Sequence, residues 1–98
     1  MALTNSQLRY LRGLAHNLNP VIMVGAKGVS DSLVAELEGA LDHHELVKVR
    51  ISAGDRDARD AIVAELAART RAETVQRIGN VVSLYRRNAD EPKLALPD

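Results

Sequence analysis

The chain has 98 residues, 46% of them hydrophobic, and a formal charge of zero because 13 basic side chains balance 13 acidic ones. This length fits one domain around a single core. Cysteine is absent, which excludes disulfides and thiolate metal sites and fits a reducing compartment. No apolar run approaches the roughly 20 residues that cross a bilayer, and the N-terminus lacks the layout of a signal peptide. We therefore expect a cytoplasmic protein with no membrane partner.

The neutral total conceals blocks of one sign. Residues 1–28 carry three basic and no acidic side chains, residues 29–45 carry five acidic and no Lys or Arg, and residues 74–87 carry three basic ones. Affinity for nucleic-acid phosphates is largely electrostatic. A nucleic-acid surface therefore requires the basic blocks to meet in the fold.

The first predicted element is a helix that begins at Asn5. Thr4 and Gln7 have the capping-box spacing, and Leu3 and Leu8 occupy the staple positions around it. Helical spacing predicts a buried side formed by Leu8, Leu11, Ala15 and Leu18, and a different face with Arg9, Arg12 and His16. The pair Asn19-Pro20 is predicted to end this helix.

A short, continuously apolar strand is predicted next, over residues 21–24. The following residues, Gly25, Ala26, Lys27 and Gly28, are named the GAKG loop. The loop leads into a second helix with Ser30 as its N-cap and Asp31 in its first turn. Its predicted buried stripe consists of Leu33, Val34, Leu37 and Leu41.

Two further strands and a helix complete the expected pattern. Residues 46–52 alternate, which predicts a half-buried strand with Val47, Val49 and Ile51 on one face and Leu46, Lys48 and Arg50 on the other. A third helix is predicted from Gly54-Asp55 to about Thr70, packing through Ala58, Ile62 and Leu66. Gly79-Asn80 separates the last two strands, 74–78 and 81–86, as a two-residue hairpin turn.

The element order α-β-α-β-α-β-β predicts an α/β fold. We expect two layers, with a mixed four-stranded sheet and three helices, because helical crossovers favour parallel pairing and the final hairpin adds an antiparallel strand. Residues 1–98 are predicted to form one domain. Residues 88–98 contain two prolines and no helical period, so we expect a tail that lies on the surface or is loose.

The GAKG loop has a chemistry that suits phosphate. A glycine-bearing turn before a helix presents free N–H groups and the positive end of the helix dipole, with Lys27 as a cation beside them. Its spacing matches neither the Walker loop nor the dinucleotide-binding motif. Two glycines at this spacing are more often explained by a tight turn alone, so the loop residues by themselves leave both interpretations open.

Three runs of the sequence carry a family resemblance. They are LNPVIMVGAKGVSDSLVAELEGALDHHELVKVRI, then VQRIGNVVSLYRR, then KLALP near the end. In this order they resemble the stand-alone bacterial CRM domain, the YhbY-like RNA-binding family, over roughly residues 4–97. The resemblance implies a fold similar to the C-terminal domain of translation initiation factor three and a GxxG loop similar to that of KH domains.

The resemblance also implies a function. It implies RNA binding through the GAKG loop, association with precursors of the large ribosomal subunit, and a role in ribosome assembly. Gly25, Ala26, Lys27 and Gly28 match the family's loop motif residue by residue. The expected partners are large-subunit ribosomal RNA and the pre-ribosomal particle, bound by a monomer. Relatives often have a more basic surface, and we therefore expect weak or particle-dependent binding from this neutral chain.

Other constellations favour structural interpretations. His43-His44-Glu45 lacks a third ligand at metal spacing and fits a helix C-terminus, where histidine favours the dipole. A hydrolase set could be imagined from Ser30, Asp31, Ser32 and His16, but the sequence has no GxSxG nucleophile elbow. We therefore predict no catalysis, no cofactor and no metal site. Tyr10 and Tyr85 are the only aromatic residues, so a platform of stacked rings cannot be built.

The remaining basic residues extend the candidate RNA site. If the basic blocks converge, Arg9, Arg12 and Arg77 join Lys27 in one patch. Arg86 is a further candidate, although a solvated strand end explains it equally well, as it does Lys48 and Arg50. The alternative function is a protein-interaction module, in which the acidic second helix docks a ribosomal protein or an assembly factor through Glu36, Glu38 and Asp42.

Overall fold

The computed structural model describes residues 2–52 and 54–98. Within these ranges the chain forms three helices and four strands in the predicted order: α1 (Asn5–Ala15), β1 (Ile22–Val24), α2 (Asp31–His44), β2 (Leu46–Ile51), α3 (Arg56–Thr70), β3 (Glu73–Ile78) and β4 (Val81–Tyr85). Among these described helices, none has the length and apolar character needed to cross a bilayer. The predicted α/β class is confirmed.

The strands form one mixed sheet in the order β1-β2-β4-β3. β1 and β2 are parallel, whereas β4 is antiparallel to both β2 and β3. Because β4 lies between β2 and β3, the edges β1 and β3 are three strand spacings apart, about 14 Å. The carboxyl ends of β1, β2 and β3 lie at one end of the sheet, the loop end, from which the GAKG loop and the Gly79-Asn80 turn project.

The capping box predicted for α1 is present. Thr4 Oγ1 accepts the Gln7 N–H at 3.1 Å, and Gln7 Oε1 accepts the Thr4 N–H at 3.0 Å. The predicted end of α1 at Asn19-Pro20 is wrong, because the helix ends at Ala15 with His16 as its C-cap. Asn17, just beyond the helix, is a weak helix former. Asn19, which precedes Pro20, is biased away from helical geometry.

The main core lies between one face of the sheet and the helices α2 and α3. Its buried side chains include Leu37 and Leu41 of α2, Leu66 of α3, and Val24, Val47, Val49, Ile51, Val82 and Leu84 of the sheet. The prediction that Ala58 packs in this core is wrong, because Ala58 is exposed one turn into α3. Val63, with Leu66 and Thr70, forms the buried side of α3.

The opposite face of the sheet is covered only at the end away from the loops. There Leu11 and Ala15 of α1 pack on Leu46, Val75 and Tyr85. The continuously apolar strand β1 alternates in burial, because Met23 is exposed between buried Ile22 and Val24. Half of this sheet face therefore has no helix over it within residues 2–52 and 54–98.

The tail after Asn88 is held by the buried carboxylate of Glu45. Glu45 Oε1 accepts the N–H groups of Lys93 and Leu94 at 2.7 Å each, and Oε2 accepts the N–H of Asn88 at 2.7 Å. Leu94 and Leu96 pack against the α1 side of the core. Residues 88–97 therefore lie along the surface in a defined path.

Candidate nucleic-acid interface

The GAKG loop is a tight, exposed turn at the loop end of the sheet. The Gly28 N–H donates to the Gly25 carbonyl oxygen at 3.0 Å, and Gly28 has a φ of 71°, which favours glycine. A Cβ placed on either glycine would meet no atom within 4 Å. Ala26 and Lys27 are exposed between them. A ligand can therefore approach the loop backbone from solvent.

The loop feeds directly into the N-terminus of α2. Ser30 Oγ accepts the N–H of Leu33 at 3.1 Å, as predicted for an N-cap. Asp31 adds a carboxylate to the first turn, but Arg69 Nη2 lies 2.7 Å from its Oδ1. The hydrogen bond to Asp31 raises the pKa of Arg69 above its usual value. The acid nearest the loop is thus paired with a cation.

The uncovered half of the sheet, here called the open sheet face, adjoins the loop. Its row at the loop end runs across all four strands, since Met23 is in register with Arg50, Arg50 with Val81, and Val81 with Ile78. A second row contains Lys48, Ser83 and Gln76. Met23 is 58% exposed and Ile78 is 68% exposed. The surface is a shallow groove that combines apolar and cationic side chains.

No acidic residue lies in either row of the open sheet face. The ion pairs among the described residues engage four of the 13 basic side chains, Arg69, Arg77, Arg86 and Lys93. Lys27, Lys48 and Arg50 have no carboxylate partner among the residues that the structure describes. The loop and the open sheet face therefore keep their positive charge although the whole chain is neutral.

One side of α1 forms a wall of the open sheet face. Arg12 Nε donates to the Val75 carbonyl oxygen at 3.3 Å, next to Gln76 of the second row. Arg9 and His16, three and four residues from Arg12, lie on the same side of the helix. The opposite side of α1 faces the tail, where Gln7 Nε2 donates to the Pro97 carbonyl oxygen at 3.0 Å. The fold therefore places Arg12 at the β3 side of the open sheet face, whereas Lys48 and Arg50 lie on β2.

Two of the predicted site residues are not brought to this surface. Arg77 lies on β3, at the edge opposite β1, and forms an ion pair with Asp60 of α3. Arg86 follows β4 at the end away from the loops, with Nη1 2.6 Å from Glu38 Oε2 and Nη2 2.7 Å from Asp42 Oδ1. Arg77, which was predicted to join the patch of Arg9, Arg12 and Lys27, is therefore not on the open sheet face, and neither is Arg86.

The ion pairs also change the environment of Arg86. Its side chain is 20% exposed, and Nη1 donates to the Thr70 carbonyl oxygen at 2.9 Å. Burial alone lowers the pKa of Arg86, but hydrogen bonds to Glu38 and Asp42 outweigh it and raise that pKa above its usual value. This guanidinium joins α2, α3 and β4.

Sequence reasoning missed two cations at the loop end. Arg56 and Arg59 begin α3 and line a groove beside the Gly79-Asn80 turn, together with Arg77 and Asp60. Arg59 Nη1 donates to the Gly54 carbonyl oxygen at 2.9 Å. The sequence signal for this pair of cations is the three-residue spacing of Arg56 and Arg59 at the start of a helix. This spacing places both side chains on one side of the helix.

Comparisons with known proteins show the family of this chain. The model of the CRS1 / YhbY (CRM) domain matches residues 3–86. An RNA-binding protein of Haemophilus influenzae is 43% identical over 95 residues, which cover 97% of this chain and 95% of that protein. The probable RNA-binding protein YqeI of Bacillus subtilis is 34% identical over 95 residues, covering 97% of this chain and 99% of YqeI.

A solved structure shares the fold along nearly the whole chain. The solution structure of a Staphylococcus aureus protein, described as a candidate RNA-binding protein, superposes with a TM-score of 0.81 at 33% identity and covers 98% of this chain and 100% of that one. A match over most of the chain, together with relatives above 30% identity, establishes the family. The chain belongs to the CRS1 / YhbY (CRM) domain family.

Proposed function

We propose that this protein binds RNA in precursors of the large ribosomal subunit, through the GAKG loop and the cations beside it, and assists assembly of that subunit. The observation that carries the proposal is the separation of charge in the fold. Lys27, Lys48 and Arg50 have no carboxylate partner among the described residues, whereas Arg77 has one and Arg86 has two. Names of relatives, such as the RNA-binding protein of Haemophilus influenzae, support the same ligand class.

The loop would act on RNA phosphate. The exposed backbone between Gly25 and Gly28 has room for a phosphate oxygen, since no atom lies within 4 Å of the Cβ position of either glycine. The positive end of the α2 dipole and the Lys27 ammonium favour an anion there. Arg12, Lys48 and Arg50 extend the attraction along the open sheet face. The proposed role is binding without catalysis or a cofactor, by a cytoplasmic monomer.

The protein-interaction alternative has less support. It relied on free acidic side chains along α2, but Glu38 and Asp42 both pair with Arg86. Glu36 is exposed and forms no ion pair among the described residues. A basic partner protein would have to displace Arg86 from its two carboxylates and from the Thr70 carbonyl oxygen.

The test is the double substitution Ala26→Asp/Lys27→Asp. It keeps both glycines and places two carboxylates where a phosphate would approach, so we expect RNA binding and co-sedimentation with large-subunit precursors to be lost. Stability should change by less than about 1 kcal/mol, because the positions are exposed and a helix N-terminus favours acids. Circular dichroism and urea unfolding would check the fold.

The matched control is Arg87→Asp/Ala89→Asp. It makes the same charge change at two exposed positions after β4, away from the loop end. We expect this variant to bind RNA nearly as the parent does. If both variants lose binding equally, overall charge explains the effect. If the loop variant is folded and binds normally, the two glycines serve only the turn.

A further inference from the structure

We infer that the open sheet face holds an unpaired RNA strand, with bases on its apolar side chains and phosphates at its cations. This inference rests on the proposed function and names the class of RNA that the site takes. The evidence is the row of four side chains at the loop end, which starts at Met23, two residues before Gly25. A strand bound at the loop would continue across this row.

The row combines three apolar side chains and one cation over a short distance. Met23, Arg50, Val81 and Ile78 occupy neighbouring strands, so the row extends about 14 Å, which is three strand spacings. Met23 and Ile78 are more than half exposed at its two ends, and Arg50 is exposed between them. Two apolar side chains that are more than half exposed on one sheet face, with a cation between them, offer a ligand both apolar and electrostatic contacts.

An unpaired strand fits this chemistry better than a duplex. A duplex presents phosphates and sugars on its outside and keeps its base faces stacked, so it would cover Met23 and Ile78 without giving them an apolar contact. An unpaired strand exposes base faces for these side chains and leaves its phosphates free for Lys48 and Arg50. The absence of acidic residues from both rows also favours a polyanion.

The contact would be sensitive to base exposure and tolerant of base identity. Neither tyrosine lies on the open sheet face, since Tyr10 is on α1 and Tyr85 is buried beneath α1. Aliphatic side chains contact any base face without reading its edge. Ser83 and Gln76 are in register in the second row, but Ser83 is buried, which leaves Gln76 as the uncharged polar side chain available there.

The experiment compares oligo(U) with a blunt RNA duplex of the same length, by fluorescence anisotropy at low salt. The parent should bind oligo(U) more tightly than the duplex. Met23→Ser/Ile78→Ser should weaken oligo(U) binding about fivefold or more, because each base contact contributes measurably, and should change duplex binding less than about twofold. Tyr10→Ser/Leu18→Ser, which removes two other exposed apolar side chains, should change neither.

A gain-of-function variant keeps the test decisive if the serine variant unfolds. Ile78→Tyr adds an aromatic ring at an exposed position and should raise oligo(U) affinity about fivefold or more, because bases stack on aromatic rings. Equal affinity of the parent for both RNAs, or an oligo(U) affinity that neither variant changes, overturns the inference and leaves RNA binding standing. Failure of the parent to bind either RNA overturns the proposed function itself.

Discussion

The Arg86 guanidinium donates to the Glu38 carboxylate at 2.6 Å, across the gap between the end of β4 and the middle of α2. A second hydrogen bond of 2.7 Å joins the same guanidinium to Asp42, one turn further along α2. These contacts lie at the end of the sheet away from the GAKG loop. These hydrogen bonds give Arg86, one of the three basic residues of segment 74–87, a structural role. They also neutralise the Glu38 and Asp42 carboxylates of α2.

Arg86→Ala should separate stability from RNA binding. The substitution leaves the partly exposed Glu38 carboxylate and the Thr70 carbonyl oxygen without their donor, so we expect the free energy of unfolding to fall by about 2 kcal/mol. RNA affinity should stay within about twofold of the parent, because the site lies elsewhere. The measurements are urea unfolding and anisotropy with oligo(U).

Arg50→Ala is the matched substitution on the open sheet face. Arg50 is exposed and has no carboxylate partner among the described residues, so stability should change by less than about 0.5 kcal/mol. RNA affinity should fall. An opposite pattern, with Arg86→Ala weakening binding and Arg50→Ala not, would contradict the placement of the site.

The salt dependence of binding should report the cations of the open sheet face. Each phosphate that a cation neutralises on a single strand contributes about 0.7 to the slope of log affinity against log salt. Lys48→Ala/Arg50→Ala should therefore reduce the slope for oligo(U), by about 0.7 for each phosphate that no longer has its cation. Arg71→Ala/Arg87→Ala removes two exposed arginines at the other end of the sheet and should leave the slope unchanged.

The two glycines of the loop should differ in their tolerance of alanine. Gly28 has a φ of 71°, whereas Gly25 is not among the residues with positive φ. Gly28→Ala should therefore lower the free energy of unfolding by about 1–2 kcal/mol. Gly25→Ala should change it by less than about 0.5 kcal/mol, since the added Cβ meets no atom within 4 Å. Equal stabilities of the two variants in urea would contradict the turn geometry.

Removal of the Glu45 carboxylate should release the tail. Glu45→Ala leaves the N–H groups of Asn88, Lys93 and Leu94 without their acceptor, so we expect the free energy of unfolding to fall by about 3 kcal/mol or more. Hydrogen exchange of these three amides should accelerate more than that of Val49 in the sheet. Glu91→Ala, at an exposed position in the tail, is the control and should leave the three amides protected.

Tyr85 should make the protein sensitive to alkaline pH. Burial raises the pKa of Tyr85 above its ordinary value of 10.0. In the unfolded chain Tyr85 ionises at its ordinary pKa, while the folded chain retains the proton, so the free energy of unfolding should fall as pH rises above about 10 and be unaffected below it. Tyr85→Phe should show a shallower decline, measured by urea unfolding at several pH values.

Much of the fold follows from local patterns in the sequence. The capping box at Thr4 and Gln7, the serine cap of α2 and the Gly79-Asn80 turn depend on residues a few positions apart, and the structure shows each of them. The alternation of β2 likewise predicted which side chains enter the main core. The end of α1 was missed because the preference of Asn17 is weak and no residue nearby forces a stop.

The sequence alone determined the elements, the GAKG loop and the family, because these depend on neighbouring residues and on their order. Only the tertiary structure decided which cations remain available. β4 lies between β2 and β3, so Arg77 faces α3 and Arg86 reaches α2, whereas Lys48 and Arg50 lie on the half of the sheet that no helix of the described residues covers. The partners of Arg77 and Arg86 are 17 and 48 residues away along the chain, and no local pattern reports such distances.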